Sequence, residues 1–465
     1  MTTDAPALLT DFYQVTMACA HWQRGAHLQR ASFSLGFRRA PFGGAYAVAA
    51  GIDAAVDHLT RWAIADEELD FLAAQVGNDG RPLFPAGFLS FLRGQRFTGD
   101  VFAVQEGTAV FPGTPMMRVE GPLWLAQWVE TPLLTLVNFH TLIATKAARV
   151  VTAAAGDPVF EFGLRRAQGF DGGLSATRAA FVGGIHGTSN AHAARLLGVP
   201  ARGTHAHAWV MAHDDEADAF HAWADAMPNN ATFLVDTWDT LTGVDRAIAA
   251  AHRLRAAGHR PVGIRLDSGD LLSLSREARR RLDAAGLPEM AILASDDLDE
   301  HRIAALKAAG APISAWGVGT RLVTGHDQPA LGGVYKLGAL EGPQGWVGRV
   351  KRSDNPTKIS DPGRLQVRRT AGPDGLASGD TVYAIDDGPP DVPGTDLLLP
   401  QLRGGARLRA AAHLLDAAAH ARESLRHIPE IHRSLSAPEA YPVARTPSLL
   451  AARSRLLAAG ATVPA

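Results

Sequence analysis

Two histidines one residue apart stand in G-T-H-A-H-A-W-V, Gly203 to Val210, and a third, His213, follows closely. Imidazole can ligate a metal, accept a phosphoryl group or move a proton near neutral pH. On a β-strand, residues i and i+2 share a face, so a strand here points His205 and His207 the same way. Three roles then compete: metal ligands, a nucleophile, or packing. H-x-H at a strand end is a zinc pattern in hydrolase barrels, but it needs further ligands on later strand tips. His259 precedes its expected strand and His326 stands isolated past a tip, so those ligands are missing. A phosphate-accepting histidine needs a carboxylate on its second ring nitrogen to fix the tautomer. Asp236, in F-L-V-D-T-W-D-T, sits on the next expected strand tip and is the natural candidate.

Other stretches carry complementary chemistry. V-G-I-R-L-D-S-G-D, 262–270, delivers Arg265 and Asp267 to one strand face. Arginine grips phosphate or carboxylate with two parallel bonds. Aspartate accepts from sugar hydroxyls or holds Mg²⁺ through water. The plain alternative is a local ion pair. In W-G-V-G-T, Gly317 and Gly319 let backbone N–H groups close on an anion, and Thr320 adds a hydroxyl. G-G-V-Y-K-L, 332–337, adds more donors and Lys336. In E-F-G-L-R-R-A, Phe162 offers a flat face beside Arg165 and Arg166, unless it is merely a core ring next to surface cations. Together these residues suit a sugar-phosphate substrate and a flat, anionic second one.

The elements that must position them follow from periodicity. From about residue 155, short apolar strands alternate with helices. The expected strands are P-V-F-E-F-G, A-F-V-G-G-I, R-G-T-H-A-H, T-F-L-V-D-T, V-G-I-R-L-D, A-I-L-A-S-D and A-W-G-V-G-T. Repeated βα units predict a parallel sheet or barrel, and seven strands favour the barrel. Their tips, Arg165, His186, His207, Asp236, Asp267, Asp296 and Thr320, would converge on one mouth. Aspartates at such tips also serve as helix caps. Residues 1–120 read as an α+β domain, with a helix at 9–24 capped by Thr10 and stopped by Gly25. Residues 121–345 hold the catalytic α/β domain and open on a buried helical run, Pro122 to Val151. Residues 346–465 read as a segment packing back on the N-terminal domain: a stretch rich in Gly, Lys and Arg at 344–370, a hairpin or loop in R-T-A-G-P-D-G-L-A-S-G-D at 369–380, a proline-rich linker at 386–400, and helices at 406–426 and 447–459.

Bulk properties bound the partners. A chain of 465 residues exceeds one ordinary core. A formal net charge of −2, with 46% hydrophobic and 20% charged residues, argues against nucleic acid or an anionic membrane. The single cysteine, Cys19, excludes an intrachain disulfide and a cysteine-based zinc site. M-T-T-D-A-P-A lacks the basic and apolar regions of a leader. The run from Pro122 to Val151 is broken too often to span a bilayer. A cytoplasmic location is expected.

Nine segments then stand in one order across roughly residues 8–360: L-L-T-D-F-Y-Q, L-V-N-F-H-T-L-I-A-T-K-A-A-R-V, E-F-G-L-R-R-A-Q-G, G-G-I-H-G-T-S-N, G-T-H-A-H-A-W-V, L-V-D-T-W-D-T, I-R-L-D-S-G-D-L, G-V-G-T and G-G-V-Y-K-L. On them the chain resembles the nicotinate phosphoribosyltransferases. The resemblance implies an irregular parallel α/β barrel of the type II phosphoribosyltransferase kind, a second α+β domain and a helical C-terminal tail. It implies formation of nicotinate mononucleotide and pyrophosphate from nicotinate and phosphoribosyl pyrophosphate, with Mg²⁺ and with ATP as co-substrate, in NAD biosynthesis. A homodimer with a shared active site is also implied. Carried over residue by residue, His207 is the histidine phosphorylated by ATP, and His205 has no family role. Thr204 contacts nicotinate; Phe162 and the partner subunit's Tyr13 sandwich its ring; Arg165 lies near ring and pyrophosphate. Arg265 binds substrate, Asp267 binds ribose, and Gly317, Gly319 and Thr320 form the 5′-phosphate loop. Ser189 stands where related nicotinamide enzymes carry an aspartate; losing that charge favours a carboxylate substrate. Lys351, Arg352 and Lys358 are left between ATP contact and a solvated basic loop.

Overall fold

The computed structural model describes residues 6–355 and 358–459. Most of the N-terminal stretch read for a leader lies outside the described residues. The chain forms two compact units. One is contiguous, Ile143–Pro329; the other uses both chain ends, up to Leu142 and from Ala330 onward. Composition suggests cuts at 120/121 and 345/346. The end unit resumes at Ala330, earlier than 346, because strand Gly333–Gly342 pairs antiparallel with Arg30–Phe37 and so belongs to it.

The contiguous unit carries six strands: β1 Val159–Glu161, β2 Gly187–Thr188, β3 Thr232–Leu234, β4 Gly263–Leu266, β5 Ala291–Ala294 and β6 Ala315–Val318. All pair in parallel, in the order β2-β1-β6-β5-β4-β3. Their residues are nearly all buried, as a sheet covered on both faces demands. Its helices are α1 Gly169–Val182, α2 Ala191–Leu197, α3 His207–Met211, α4 Glu216–Ala226, α5 Thr240–Ala256, α6 Leu271–Ala284, α7 Glu300–Ala308 and α8 Thr320–Val323. Asp239, Asp270 and Asp299 cap α5, α6 and α7, accepting from the backbone N–H of Thr242, Leu272 and Arg302.

Five of the seven expected strands form. A-F-V-G-G-I instead ends α1 and turns at Gly183–Gly184. R-G-T-H-A-H runs irregularly into α3. The sheet therefore keeps two edges, β2 and β3, where the sequence pattern suggested a barrel closed by seven strands. The strand order is nevertheless a cyclic permutation of chain order, unlike a doubly wound sheet. The segment that failed to become a strand has the bonding of one on a single side. Thr188 N–H donates to Pro200 O at 3.1 Å, and Arg202 N–H donates to Thr188 O at 2.8 Å. Toward β3 it is held by side chains: Asn230 Nδ2 donates to Gly203 O at 3.2 Å, and Leu234 N–H donates to His205 Nε2 at 3.2 Å.

The end unit is built on a seven-stranded antiparallel sheet. It runs Gly345–Gly348, Gly333–Gly342, Arg30–Phe37, Pro115–Pro122, Asp100–Ala103, Leu399–Arg403, Ala406–Arg407. Trp62, Trp124 and Trp128 form an aromatic knot in its core, with ring centroids 5.9–6.2 Å apart. The expected first helix is Phe12–Gln23; Asp11 precedes it, and the hydroxyl of Thr10 donates instead to Trp128 O at 2.9 Å. The hairpin is real, Leu365–Ala371 against Ala377–Ala384. The 386–400 stretch is more than a linker, since Leu399–Arg403 enters the large sheet beside Asp100–Ala103. The tail helices are Leu414–Arg426 and Pro447–Ala459, with a short turn Glu430–Arg433. Residues 406–407 are strand because they pair back on Leu399–Arg403. The apolar run from 122 is two helices, Leu123–Trp128 and Glu130–Ala153. No helix among the described residues is long and apolar enough to cross a membrane.

Lys146 and Arg149, a turn apart on Glu130–Ala153, both reach Glu300 at the start of α7, at 2.7 and 2.8 Å. All three side chains are buried. Breaking such a pair leaves an uncompensated charge inside the protein, so this tie fixes α7, and with it the β5 tip.

Candidate active site

The strand tips of the contiguous unit hold a cavity of about 590 Å³. Phe162, Arg165, Ser189, Thr204 and Arg265 line it, five of the twelve residues picked from sequence. Phe162 follows β1, its N–H donating to Val318 O at 2.8 Å. Its ring lies over Gly317, where a Cβ would come within 2.7 Å of the ring edge. Gly317 is thus buried inside β6 and makes room for the aromatic platform. The expectation of one anion loop from Gly317 to Thr320 needs this correction, because Gly317 is in the strand. Gly319 precedes α8 and Thr320 opens it, at the strand end as read.

Arg265, on β4, is held on three sides. Nη2 meets Asp267 Oδ1 at 2.7 Å, Nε donates to Ser295 Oγ at 2.9 Å, and Nη1 donates to Thr204 Oγ1 at 3.3 Å. Its guanidinium lies 5.6 Å from the Phe162 ring centroid. Arg265 and Asp267 do form an ion pair, the plain alternative weighed from sequence. Yet the pair lies at a cavity wall and its arginine is fixed as a planar fork. Ser295 was missed. Its hydroxyl accepts from Arg265 and donates to Asp267 Oδ1, so one buried group orients both. Asp296, the tip residue expected there, turns away to Arg302 at 3.0 Å.

A second chain of contacts runs from Asp267 to the histidine. Asp267 N–H and Ser268 Oγ donate to Asp236 Oδ2 at 2.9 and 2.6 Å. The other oxygen, Oδ1, lies 3.3 Å from His207 Nε2. The Asp236 carboxyl is buried, 1% exposed, whereas the His207 ring is 40% exposed at the first position of α3. A carboxylate on Nε2 fixes the proton there and leaves Nδ1 with its lone pair. Among the described residues, Nδ1 has no hydrogen-bond partner.

His205 behaves differently. It is buried, with Trp223 and Phe220 against its ring at 5.1 and 5.9 Å. Burial first, then the nearby Arg265 and His207 charges, push its pKa down to about 4. The shared face expected of two histidines on one strand does not exist. Nε2 of His205 is taken by Leu234 N–H and Nδ1 is buried, so the pair cannot hold one metal ion. Among the described residues, no group of three or more His, Cys, Asp or Glu is placed to hold a metal.

Glu161 was also missed. Its buried carboxylate accepts from Gly163 N–H, Thr177 Oγ1 at 3.0 Å and Thr188 Oγ1 at 2.5 Å. Its carbonyl accepts from Ser189 N–H at 2.9 Å. One residue therefore ties the turn after Phe162 to the strand end that presents Ser189. The signal was the acidic residue inside an otherwise apolar strand. Tyr13 belongs to the end unit, exposed on helix Phe12–Gln23. That unit also has a small cavity of about 130 Å³ whose lining includes Arg38, Lys336, Lys358 and Arg445. Lys351 and Arg352 are exposed.

Fold and site define an α/β enzyme whose strand tips combine an aromatic platform, a fixed arginine and a carboxylate-held histidine. Comparison with known proteins narrows this. Residues 8–138 match the nicotinate phosphoribosyltransferase N-terminal domain, and residues 158–361 match the nicotinate phosphoribosyltransferase family. The chain is 43% identical over 454 residues to nicotinate phosphoribosyltransferase pncB2 of Mycobacterium tuberculosis, covering 97% of this chain and 94% of that protein. It is 44% identical over 369 residues to the Bacillus subtilis nicotinate phosphoribosyltransferase, 79% of this chain and 73% of that protein. The crystal structure of human nicotinic acid phosphoribosyltransferase superposes with a TM-score of 0.84 at 32% identity, over 96% of this chain and 99% of that one. The chain belongs to the nicotinate phosphoribosyltransferase family.

Proposed function

We propose that this protein makes nicotinate mononucleotide and pyrophosphate from nicotinate and phosphoribosyl pyrophosphate, for NAD biosynthesis, and couples the transfer to ATP through His207. The observation that carries the transfer is Arg265, fixed by Asp267, Ser295 and Thr204 beside the Phe162 ring. A flat anionic ring stacks on Phe162 with its carboxylate toward cationic and hydroxyl donors, while Ser189 brings no opposing charge. The pyridine nitrogen attacks C1 of the ribose, the bond from C1 to the pyrophosphate oxygen breaks, and pyrophosphate leaves with the electron pair. No protein nucleophile for carbon is needed; positioning and charge neutralisation do the work.

His207 is the phosphate acceptor in this reading. Its Nδ1 attacks the γ-phosphorus of ATP, ADP departs, and Asp236 supports the charge gained by the ring. Hydrolysis later returns phosphate and the free imidazole. Phosphorylation shifts the protein toward a form that binds the sugar-phosphate donor more tightly. Asp267 fits Mg²⁺, which takes oxygen donors and is held largely by substrate phosphates; when bound, the ion neutralises the departing pyrophosphate. Asp267 Oδ2 is the oxygen left for that ion or for the ribose hydroxyls. Gly319 and Thr320 receive the 5′-phosphate at the start of α8. The rest of the reading is an irregular type II phosphoribosyltransferase barrel, a homodimer in which the partner subunit's Tyr13 covers the ring, and a cytoplasmic location. The test is nicotinate mononucleotide formation with Mg²⁺, with and without ATP, trying nicotinamide and quinolinate in parallel. Product from nicotinate that rises with ATP is expected. A transfer indifferent to ATP removes the His207 role, and no product from nicotinate overturns the substrate.

A further inference from the structure

His205 answers a backbone problem created by the open sheet edge. β3 pairs with β4 on one side only, and Val235 N–H bonds to Arg265 O across that side at 3.2 Å. Alternation along a strand sends Leu234 N–H outward, into the buried space where a seventh strand was expected. A buried N–H must find an acceptor. Here the acceptor is a side chain, His205 Nε2 at 3.2 Å.

The same 29-residue offset recurs two positions on: His205 meets Leu234, and His207 meets Asp236. The two contacts act as successive rungs: in the first the His205 imidazole accepts as a strand carbonyl would, and in the second His207 Nε2 faces the Asp236 carboxylate. We propose that His205 is a positioning residue, which sets α3 in register with β3 so that Nε2 of His207 faces Asp236. The proposal rests on the reading of His207 as the phosphate acceptor for its functional consequence, but its geometric part does not.

Three further observations support it. The His205 ring is wedged against Trp223 and Phe220, so it cannot swing away from the strand. Its depressed pKa keeps the ring neutral, as an acceptor nitrogen must be. The start of the loop is pinned independently by Asn230 on Gly203 O, so His205 controls the end that leads into α3.

The experiment compares His205→Phe, which keeps an aromatic ring and removes the acceptor, with His205→Gln, whose Oε1 restores one. His205→Leu serves if the phenylalanine variant does not fold. Crystal structures give the His207–Asp236 separation, and labelled ATP gives the rate of acid-labile phosphate incorporation into the full-length protein, with His207→Ala as blank. In the phenylalanine variant the pair should open beyond hydrogen-bond reach and incorporation should fall about a hundredfold, the scale of a displacement near 1 Å. Glutamine should restore both, which loss of packing alone cannot explain. An unchanged separation in the phenylalanine variant, or an equal opening in both, overturns the proposal. If the unmutated protein incorporates no more phosphate than the His207→Ala blank, the phosphohistidine reading fails, and the separations alone still decide the positioning role.

Discussion

Replacing Asp236 by asparagine should abolish the phosphate transfer proposed for His207 while leaving the fold intact. The native carboxylate accepts from Asp267 N–H and Ser268 Oγ on one oxygen and faces His207 Nε2 with the other. Asparagine has one accepting oxygen, and two donors claim it. Its NH₂ must then point at Nε2, where the native group accepts. The ring responds by becoming an acceptor at Nε2 and moving its proton to Nδ1, the nitrogen that has to attack phosphorus. The opposite amide orientation sets NH₂ against the Asp267 N–H, leaving a buried donor unpaired at about 1–3 kcal/mol. The same tautomer error in the Ser-His-Asp hydrolases costs about 10⁴ in rate, or about 5 kcal/mol of barrier. We expect a loss of that order in phosphate incorporation from labelled ATP. The melting temperature should stay close to the native value, because the swap is isosteric and two of three contacts survive. Combined with His207→Ala, the substitution should add nothing further, as expected of groups acting as one unit. Incorporation within about tenfold of the native rate would show that Asp236 does not set the tautomer.

Three other outcomes follow from the geometry. Gly317→Ala places a methyl 2.7 Å from the Phe162 ring edge; the ring must shift, so KM for nicotinate should rise about tenfold or more while phosphorylation of His207 stays intact, and unchanged steady-state kinetics would refute the platform. Ser189→Asp introduces like charge beside the substrate carboxylate; the ratio of kcat/KM for nicotinate over nicotinamide should drop by at least about tenfold, about 1.4 kcal/mol, and an unmoved ratio would remove Ser189 from base selection. His58 and His205 are each held by burial at about 4, against an ordinary 6.5. The unfolded chain therefore binds these protons first. Their contribution, on the order of 3 kcal/mol each, is complete above pH 6.5 and disappears as pH falls toward 4. Urea melts should show stability declining across that window, with a shallower decline in His58→Phe; a flat profile would contradict the burial argument.

Much of the site could be read from the sequence because strand tips are short, polar and evenly spaced. Asp236, Arg265 and Asp267 stand at the expected ends of the expected strands. The errors fall where side chains do what backbone usually does, or where the deciding contact lies far away in sequence. R-G-T-H-A-H alternates like a strand, yet one edge is satisfied by Asn230 and His205 rather than by a ladder. A-F-V-G-G-I is apolar enough for either element, and only its attachment to α1 decides for helix. Ser295 and Glu161 escaped notice because a lone serine or acid in an apolar strand has no spacing signature; their importance lies in contacts across 28 and 27 residues. The end unit's outline was blurred for the same reason, since pairing of Arg30–Phe37 with Gly333–Gly342 cannot be inferred from local pattern.

That pairing also imposes a timetable on synthesis. Ser34 must wait for Lys336 before its second neighbour exists. The interval is about 300 residues, roughly 15–60 s at ribosomal speeds of about 5–20 residues per second. All six strands of the contiguous unit, from Val159 to Val318, emerge within that wait. Strand Arg30–Phe37 meanwhile has Pro115–Pro122 on one side and an unpaired row of amides on the other. An open edge held that long is where a nascent chain invites wrong partners. The inserted unit is thus born complete inside a host that is not, and a stall or truncation between residues 329 and 332 would release a finished α/β unit attached to an unfinished, sticky frame.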